Sequence, residues 1–430
     1  MKRRTSPATI RARFGSHRPI RGSFFNPVWL WTAAATALLG IATSQTALTL
    51  LGIVILVTAG VAHFWTRLSL TGVVYSRALS ADRALPGDEV LLTLSVVNTK
   101  PIPLPWLTVE EEISDGLIVR DRPTTPSGRA GFQLLRIATA LGPYERVTWR
   151  VRLGCPTRGV QAVGPVTLAS GDPFGFFTER RALEAATSVV VYPRVASLPV
   201  LGFPAKHPVG DIRAARELLT DPTRIIGARD YQPGDPFRAI HWKATARQGH
   251  LQVRVQEPAT ALQLGLFVNL DSFSHYWEGL DLAVTERAIV IAASLASWAI
   301  ARRNAVGVYA NGVVAGSDQA LRVPPGRDPA QLARILEGLA KVSPYATLNV
   351  AKTLRAGATR FPRGSTMVVI TAQMSDPLVA ALADLLNRGY QTMLIPLANC
   401  PLPPLRGLLV RHLKSPGGVS RASANLAHPA

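Results

Sequence analysis

One stretch, residues 227–256 (GARDYQPGDPFRAIHWKATARQGHLQVRVQ), gathers Arg229, Asp230, Tyr231, Pro233, Gly234, Asp235, Arg238, His241, Trp242, Lys243, Thr245 and Arg247. These residue types allow three kinds of chemistry. His241 oriented by Asp230 or Asp235 has the makings of a general-base pair. The arginines and the tryptophan suit a docking surface, because they combine large contact area with directional donors. Arg229 paired with Asp235 would instead be an internal clamp. Pro233-Gly234 reads as a turn, Asp235 as a helix cap and Pro236 as the first helical residue. Phe237, Ile240, His241 and Ala244 then recur at helical spacing until Gly249. His241 lies beside Ile240 on the apolar side, so a packed histidine is the expected role. Ser272, Ser274 and Cys155 lack a nucleophile's setting. The chain has no GxSxG elbow, no GxxxxGK[ST] loop and no HExxH helix.

A second candidate set is Asp271, Ser272, Ser274 and Thr347. Their oxygens suit a hard cation such as magnesium or manganese. With a single firm carboxylate the set is degenerate, and no cofactor is expected; magnesium or manganese is the lesser alternative. Asp271 as a turn cap, with the hydroxyls on backbone groups, is the structural reading.

The elements that must position these residues follow from patterning. Residues 257–412 alternate strand and helix: strand 262–270, helix 280–302, strands about an Asn311-Gly312 hairpin, helix 329–339, a helical piece at 352–354, strand 366–371, helix 377–388 and strand 392–396. That order implies an open α/β sheet with helices on both faces, whose ligands bind beyond the carboxyl ends of the strands. The loops there are 269–274, 343–349 and 371–373. Residues 67–195 change to period two, with strands at 90–98, 107–112 and 147–153, and predict an all-β, sandwich-like domain. Glu110, Glu111 and Glu112 point alternately to opposite faces, so they cannot share one ion and are expected at a solvated edge or in charge pairs. Asp172-Pro173-Phe174-Gly175-Phe176-Phe177 reads as a packed loop built on an Asx turn. Residues 196–226 form a linker with a short helix at 212–219, 227–256 the motif segment, and 413–430 a flexible tail.

Residues 1–23 are a basic, disordered-looking arm. Apolar runs at 25–42 and 47–65, free of formal charge, predict a two-helix transmembrane hairpin over 24–66. The arm is basic, Arg67 follows the second run and the connector is uncharged. Both termini are therefore expected in the cytoplasm, with anionic lipids of the inner face as partners. The chain has 430 residues, a formal charge of +20 and two cysteines, Cys155 and Cys400. Such length implies several domains, and the cysteines exclude a disulfide framework. The charge favours anionic partners. The cations are dispersed without interleaved aromatics, so nucleic acid is not the expected one.

The run Gly227, Arg229 to Asp235, Arg238, Ile240, Trp242, Lys243, Thr245, Ala246 and Arg247 resembles the hallmark of the domain-of-unknown-function-58 family. Arg158-Gly159, Asp172-Pro173-Phe174-Gly175 and Val191-Tyr192-Pro193 are similar to its secondary motifs. The resemblance implies a membrane anchor, a β-rich middle and a von Willebrand factor A-like C-terminal domain with a Rossmann-like open sheet. It aligns Asp271 with the first position of the Asp-x-Ser-x-Ser metal loop. Phe273 and His275 stand in place of the two serines, Thr347 near the threonine position and Ala372 in place of the second aspartate. It further implies partnership with MoxR-type AAA+ ATPases and with membrane proteins of the cell envelope. The expected function is a non-enzymatic scaffold at the cytoplasmic face of the plasma membrane. The alternatives are a metal-dependent or hydrolytic enzyme at the membrane, and a nucleic-acid-binding protein.

Overall fold

The two uncharged runs fold as helices Pro27–Ala42 and Thr46–Ser69, joined by a turn in which Ser44 takes φ 54°. A computed structural model describes residues 9–13, 20–23, 27–204, 220–233, 235, 237–258, 263–272, 279–397 and 400–413. The short helix expected at 212–219, the flexible tail from 414 onward, Gly234, Pro236, Phe273, Ser274 and His275 lie outside these. The two helices approach through small residues. A Cβ on Gly40 would sit 2.5 Å from the Thr49 nitrogen, and one on Gly52 2.6 Å from that of Ala37. Ala33, Ala37, Ala59 and Ala62 are buried, while Leu38, Leu39, Ile41, Leu50, Leu51, Val54 and Phe64 are exposed. This inverts the helical pair of a soluble core, where large apolar side chains face inward. Thr46–Ser69 is long and apolar enough to cross a bilayer, Pro27–Ala42 is shorter, and the less apolar Leu282–Ala301, also long enough, is mostly buried.

The chain divides into two compact units, Met1–Tyr192 and Pro193–Ala430. In the first, Thr9–Arg13, Val73–Leu79, Glu89–Asn98, Arg146–Gly154 and Ile118–Val119 form one sheet in that order. Ile20–Ser23, Phe177–Leu183, Gly159–Gly171, Leu104–Ser114, Phe132–Leu141 and Thr125–Pro126 form the path of the other. Strand Glu89–Asn98 alternates buried and half-exposed residues along most of its length. The inward set from both sheets, including Tyr75, Leu92, Leu94, Val151, Val109, Ile113 and Val166, makes one core. The basic arm departs from expectation. Its segments Thr9–Arg13 and Ile20–Ser23 pair antiparallel with Val73–Leu79 and Phe177–Leu183. Ladder bonds are made by backbone, so basic composition conceals such strands without preventing them.

Glu111 makes the charge pair expected of it, but in the core and not at a solvated edge. In strand Leu104–Ser114 it takes an inward position with Leu107, Val109 and Ile113, and it is fully buried. It pairs with the buried Arg77 and accepts a 2.6 Å hydrogen bond from the Tyr75 hydroxyl. Arg77 Nε donates to Thr187 Oγ1 at 3.1 Å. Burial pushes the Glu111 carboxyl up to about 7, against the pull of Arg77. Its neighbours on the other face behave as expected: Glu110 pairs with Arg136, and Glu112 accepts from Ser127.

The long helix ends in a set of donors. Lys100 Nζ donates to the carbonyls of Ser69 and Thr71, Thr99 Oγ1 to that of Gly72 at 2.6 Å, and Arg181 to that of Leu70 at 3.5 Å. Cations there satisfy orphan carbonyls and complement the helix dipole. Partial burial, reinforced by Arg181, lowers the Lys100 ammonium to about 8.

In the second unit, strand Gln263–Val268 lies between Ala305–Val314 and Thr366–Thr371, parallel to both, and Gln391–Pro396 and Leu409–Val410 continue the parallel set. Ala320–Gly326 closes the far edge antiparallel, and Val342–Ala346 pairs antiparallel with Ala305–Val314. Leu264, Leu266 and Val268 join one core with Ile289, Leu295, Ile335 and Leu339, while Phe267 joins another with Leu354, Leu382 and Leu385. Alternate residues of one strand thus face helices on both sides, as in a doubly wound sheet. The expected Asn311-Gly312 hairpin does not form. Ala305–Val314 runs straight through both residues, and the chain reverses later, near Gly316 at φ 81°. Gly312 serves close approach instead: a Cβ there would lie 2.5 Å from Leu270 Cδ1.

Candidate functional site

The motif is a two-stranded ribbon with a helical connection. Thr220–Asp230 pairs antiparallel with Gln252–Pro258, bringing Asp230 opposite Gln252 and Arg229 opposite Val253. Between them lie a 3₁₀ turn, Phe237–Ala239, and a helix, Trp242–Gln248. Ile240 bridges to Val253, and both are buried, pinning the connection to the ribbon. The helix begins later than its spacing predicts. Its cap is His241, whose Nδ1 accepts from Ala244 N at 3.2 Å, and it stops at Gly249 at φ 74°. Asp235 is not the cap, because its carboxylate is already engaged.

That engagement is the clamp. Arg229 reaches Asp235 with two parallel bonds of 2.8 and 2.7 Å, and Asp235 Oδ2 also accepts from Gln232 N at 3.0 Å. The bond from Arg229 holds the Asp235 carboxyl below its usual range. Tyr231 stacks on Phe237, with centroids 6.2 Å apart, and Thr245 Oγ1 accepts from Gln252 N at 3.0 Å. Asp230 accepts from Gln252 and from His250 Nε2 at 3.0 Å. His250 therefore partners one of the two aspartates that the general-base alternative offered to His241, and the other His250 nitrogen meets Gln248 O at 2.9 Å. His250 was passed over because it lies beyond the helix stop; the Asp230–Gln252 register brings it back.

What remains points outward. Phe237 is 74% exposed and Trp242 64%. Arg238, Lys243 and Arg247 are exposed, and none of their side chains forms an ion pair or hydrogen bond with another described residue. The segment therefore separates into groups that hold its shape and a basic, aromatic surface. Pro233 is exposed at the turn.

At the carboxyl ends of the C-terminal strands the described candidates Asp271 and Thr347 both meet Asn311, while Ser274 lies outside the described residues. Asp271 Oδ2 accepts from the Asn311 amide at 3.0 Å, and burial raises its carboxyl. Ser272 Oγ lies 3.3 Å from Asp281 O and from Thr285 Oγ1. Thr347 Oγ1 turns back to Asn311 O at 3.4 Å. The next helix, Leu282–Ala301, is capped by Asp281. Two buried amides organise the edge. Asn311 donates to Asn269 Oδ1 at 2.8 Å and accepts from Leu270 N at 2.8 Å, while Asn269 Nδ2 donates to Thr371 Oγ1 at 3.0 Å. Sequence reading spent Asn311 on a turn and so missed it. Among the described residues no group of three His, Cys, Asp or Glu side chains converges.

Residues 227–398 match the family model described as "Protein of unknown function DUF58". The uncharacterized protein YeaD of Bacillus subtilis (strain 168) is 23% identical over 200 residues, 46% of this chain and 48% of that protein, so the chain spans about half the length of that curated relative. A cohesin module from a Clostridium perfringens family 33 glycoside hydrolase is 10% identical over 27% of this chain and 94% of its own, with a TM-score of 0.21. The Pseudomonas fluorescens alkylpurine DNA glycosylase AlkC is 16% identical over 39% of this chain and 43% of its own, with a TM-score of 0.20. Likeness at that level carries no argument.

Proposed function

We propose that this chain, whose residues 227–398 match the DUF58 family model, is a membrane-anchored, non-enzymatic interaction protein whose docking face is the segment 237–247. The observation that carries the reading is the outward set Phe237, Arg238, Trp242, Lys243 and Arg247, left over once Arg229, Asp235, His241 and Thr245 have built the scaffold. Exposed aromatics ringed by cations fit a partner with apolar knobs and carboxylates. The family resemblance names a MoxR-type AAA+ ATPase as that partner, within cell-envelope assembly. The sheet beside the motif is von Willebrand factor A-like in this reading, supported by its strand order and its antiparallel edge strand. It works without magnesium or manganese.

The anchor is the helix pair, with alanine and glycine inside and leucine, isoleucine and valine outside, a pattern suited to lipid. The arm before the hairpin and the strand after it share one sheet, which supports both ends lying on the same side. The basic arm assigns that side to the cytoplasm of the plasma membrane.

The test is co-purification of the detergent-solubilised full chain with an AAA+ ATPase. Arg238→Ala and Trp242→Ala are expected to lose the ATPase while melting at the wild-type temperature. Capture that persists in both variants would remove the docking face. Turnover by the purified chain that disappears in His250→Ala would replace the scaffold with an enzyme, and a saturable magnesium titration abolished by Asp271→Asn would restore the cation site.

A further inference from the structure

The segment Asp172–Phe177 joins strands Gly159–Gly171 and Phe177–Leu183 and touches the long apolar helix near its end. The His63 and Phe177 rings meet edge-on at 5.4 Å, and Thr66 Oγ1 lies 3.5 Å from Phe177 O. A helix crosses the hydrocarbon core with about 20 residues. Counted from Thr46, the boundary falls near Trp65, just before Arg67, the first charge after the span. The loop therefore sits at the level where hydrocarbon gives way to headgroups.

Its construction is rigid. Asp172 is fully buried. Its Oδ1 accepts from Phe174 N at 2.8 Å and Phe176 N at 3.2 Å, its Oδ2 from Phe177 N at 2.6 Å, and its carbonyl from Trp106 Nε1 at 3.1 Å. Gly175 supplies the positive φ of 75° that the turn needs. The outcome is a phenyl ring held outward: Phe174 is 59% exposed and stacks on Phe176 at 5.5 Å. Phe64, 65% exposed, lies on the helix near the same level. A buried carboxylate that fixes an exposed aromatic makes sense where the aromatic has an apolar phase to enter, because a preformed loop loses little freedom on insertion.

We propose that this loop is a lipid-inserting wedge. Phe174, backed by Phe176, enters the headgroup–acyl boundary of the leaflet from which the helix emerges, while Arg67 meets lipid phosphate. The wedge fixes the tilt of the β-domain on the membrane. It rests on the transmembrane reading of the helix pair.

The test uses the full chain in vesicles of phosphatidylethanolamine and phosphatidylglycerol, with Cys155 and Cys400 replaced by alanine. Spin labels are placed at Phe174→Cys, Val54→Cys in the helix and Leu85→Cys. Leu85 precedes strand Glu89–Asn98 and lies at its far end from Lys100, roughly 30 Å away. Labels at 54 and 174 are expected to relax faster with oxygen than with a water-soluble nickel chelate, and the label at 85 to show the reverse. Pro173→Cys repeats the measurement with the ring intact. Nickel-dominated relaxation at 173 and 174 with oxygen-dominated relaxation at 54 overturns the wedge and leaves the helix pair in lipid. Nickel dominance at 54 as well overturns both, and shielding of 174 from both reagents assigns the loop to a protein contact and overturns the wedge.

Discussion

Glu111 and Arg77 show how a single inward position alters the meaning of a residue. Removing the carboxylate leaves a guanidinium in the sandwich core without its counter-charge. Glu111→Ala should therefore cost about 3–5 kcal/mol, read as a lower denaturation midpoint of the solubilised protein. The double replacement Arg77→Met with Glu111→Leu should recover much of that loss, because two apolar side chains need no partner. The sequence shows that Glu110, Glu111 and Glu112 alternate, but which parity faces the core is set by Leu107, Val109 and Ile113 once the register with Phe132–Leu141 is formed. The Arg229–Asp235 clamp was legible because both residues belong to one turn. The Asp230–His250 contact was not, since it depends on a ribbon that folds residues twenty apart onto each other.

Helix ends are the elements most open to test. The Lys100 ammonium, lowered to about 8 by burial and by Arg181, binds fewer protons when folded than when unfolded between about pH 8 and the free lysine value. The unfolded chain holds the extra proton, so stability rises with pH across that window and is lost as pH falls through 8. Melting temperatures of the wild type should climb over that range relative to Lys100→Met, in which this part of the pH dependence disappears. Strand and helix positions in the C-terminal unit were readable from periodicity, as for Thr366–Thr371 and the helix Asp376–Asn387. Two boundaries were not. The motif helix starts at Trp242 because the clamp withdraws Asp235, and Ala305–Val314 passes through Asn311-Gly312 because a buried amide network outweighs turn propensity.

For the molecule as a whole, the arm's segments Thr9–Arg13 and Ile20–Ser23 are part of the β-domain. Without residues 1–23, Val73–Leu79 and Phe177–Leu183 would each become an open sheet edge. Such a truncation should insert into membranes yet aggregate after solubilisation, seen as a shift to the void volume in size exclusion. A truncated chain that remains monodisperse with wild-type melting would remove the arm from the fold. The broad division into apolar pair, β-rich middle and α/β end was written in composition and period. The arm's strands were hidden because backbone pairing leaves no side-chain signature in five residues.

The same pairing imposes an order on biogenesis. Ile20–Ser23 is translated before the two apolar helices, yet its partner, Phe177–Leu183, is translated only after them and most of the sandwich. That segment must therefore wait, unpaired, for a strand that does not yet exist. The arm's positive charge suits that interval, because it keeps an unpaired strand soluble until the late strand arrives to receive it.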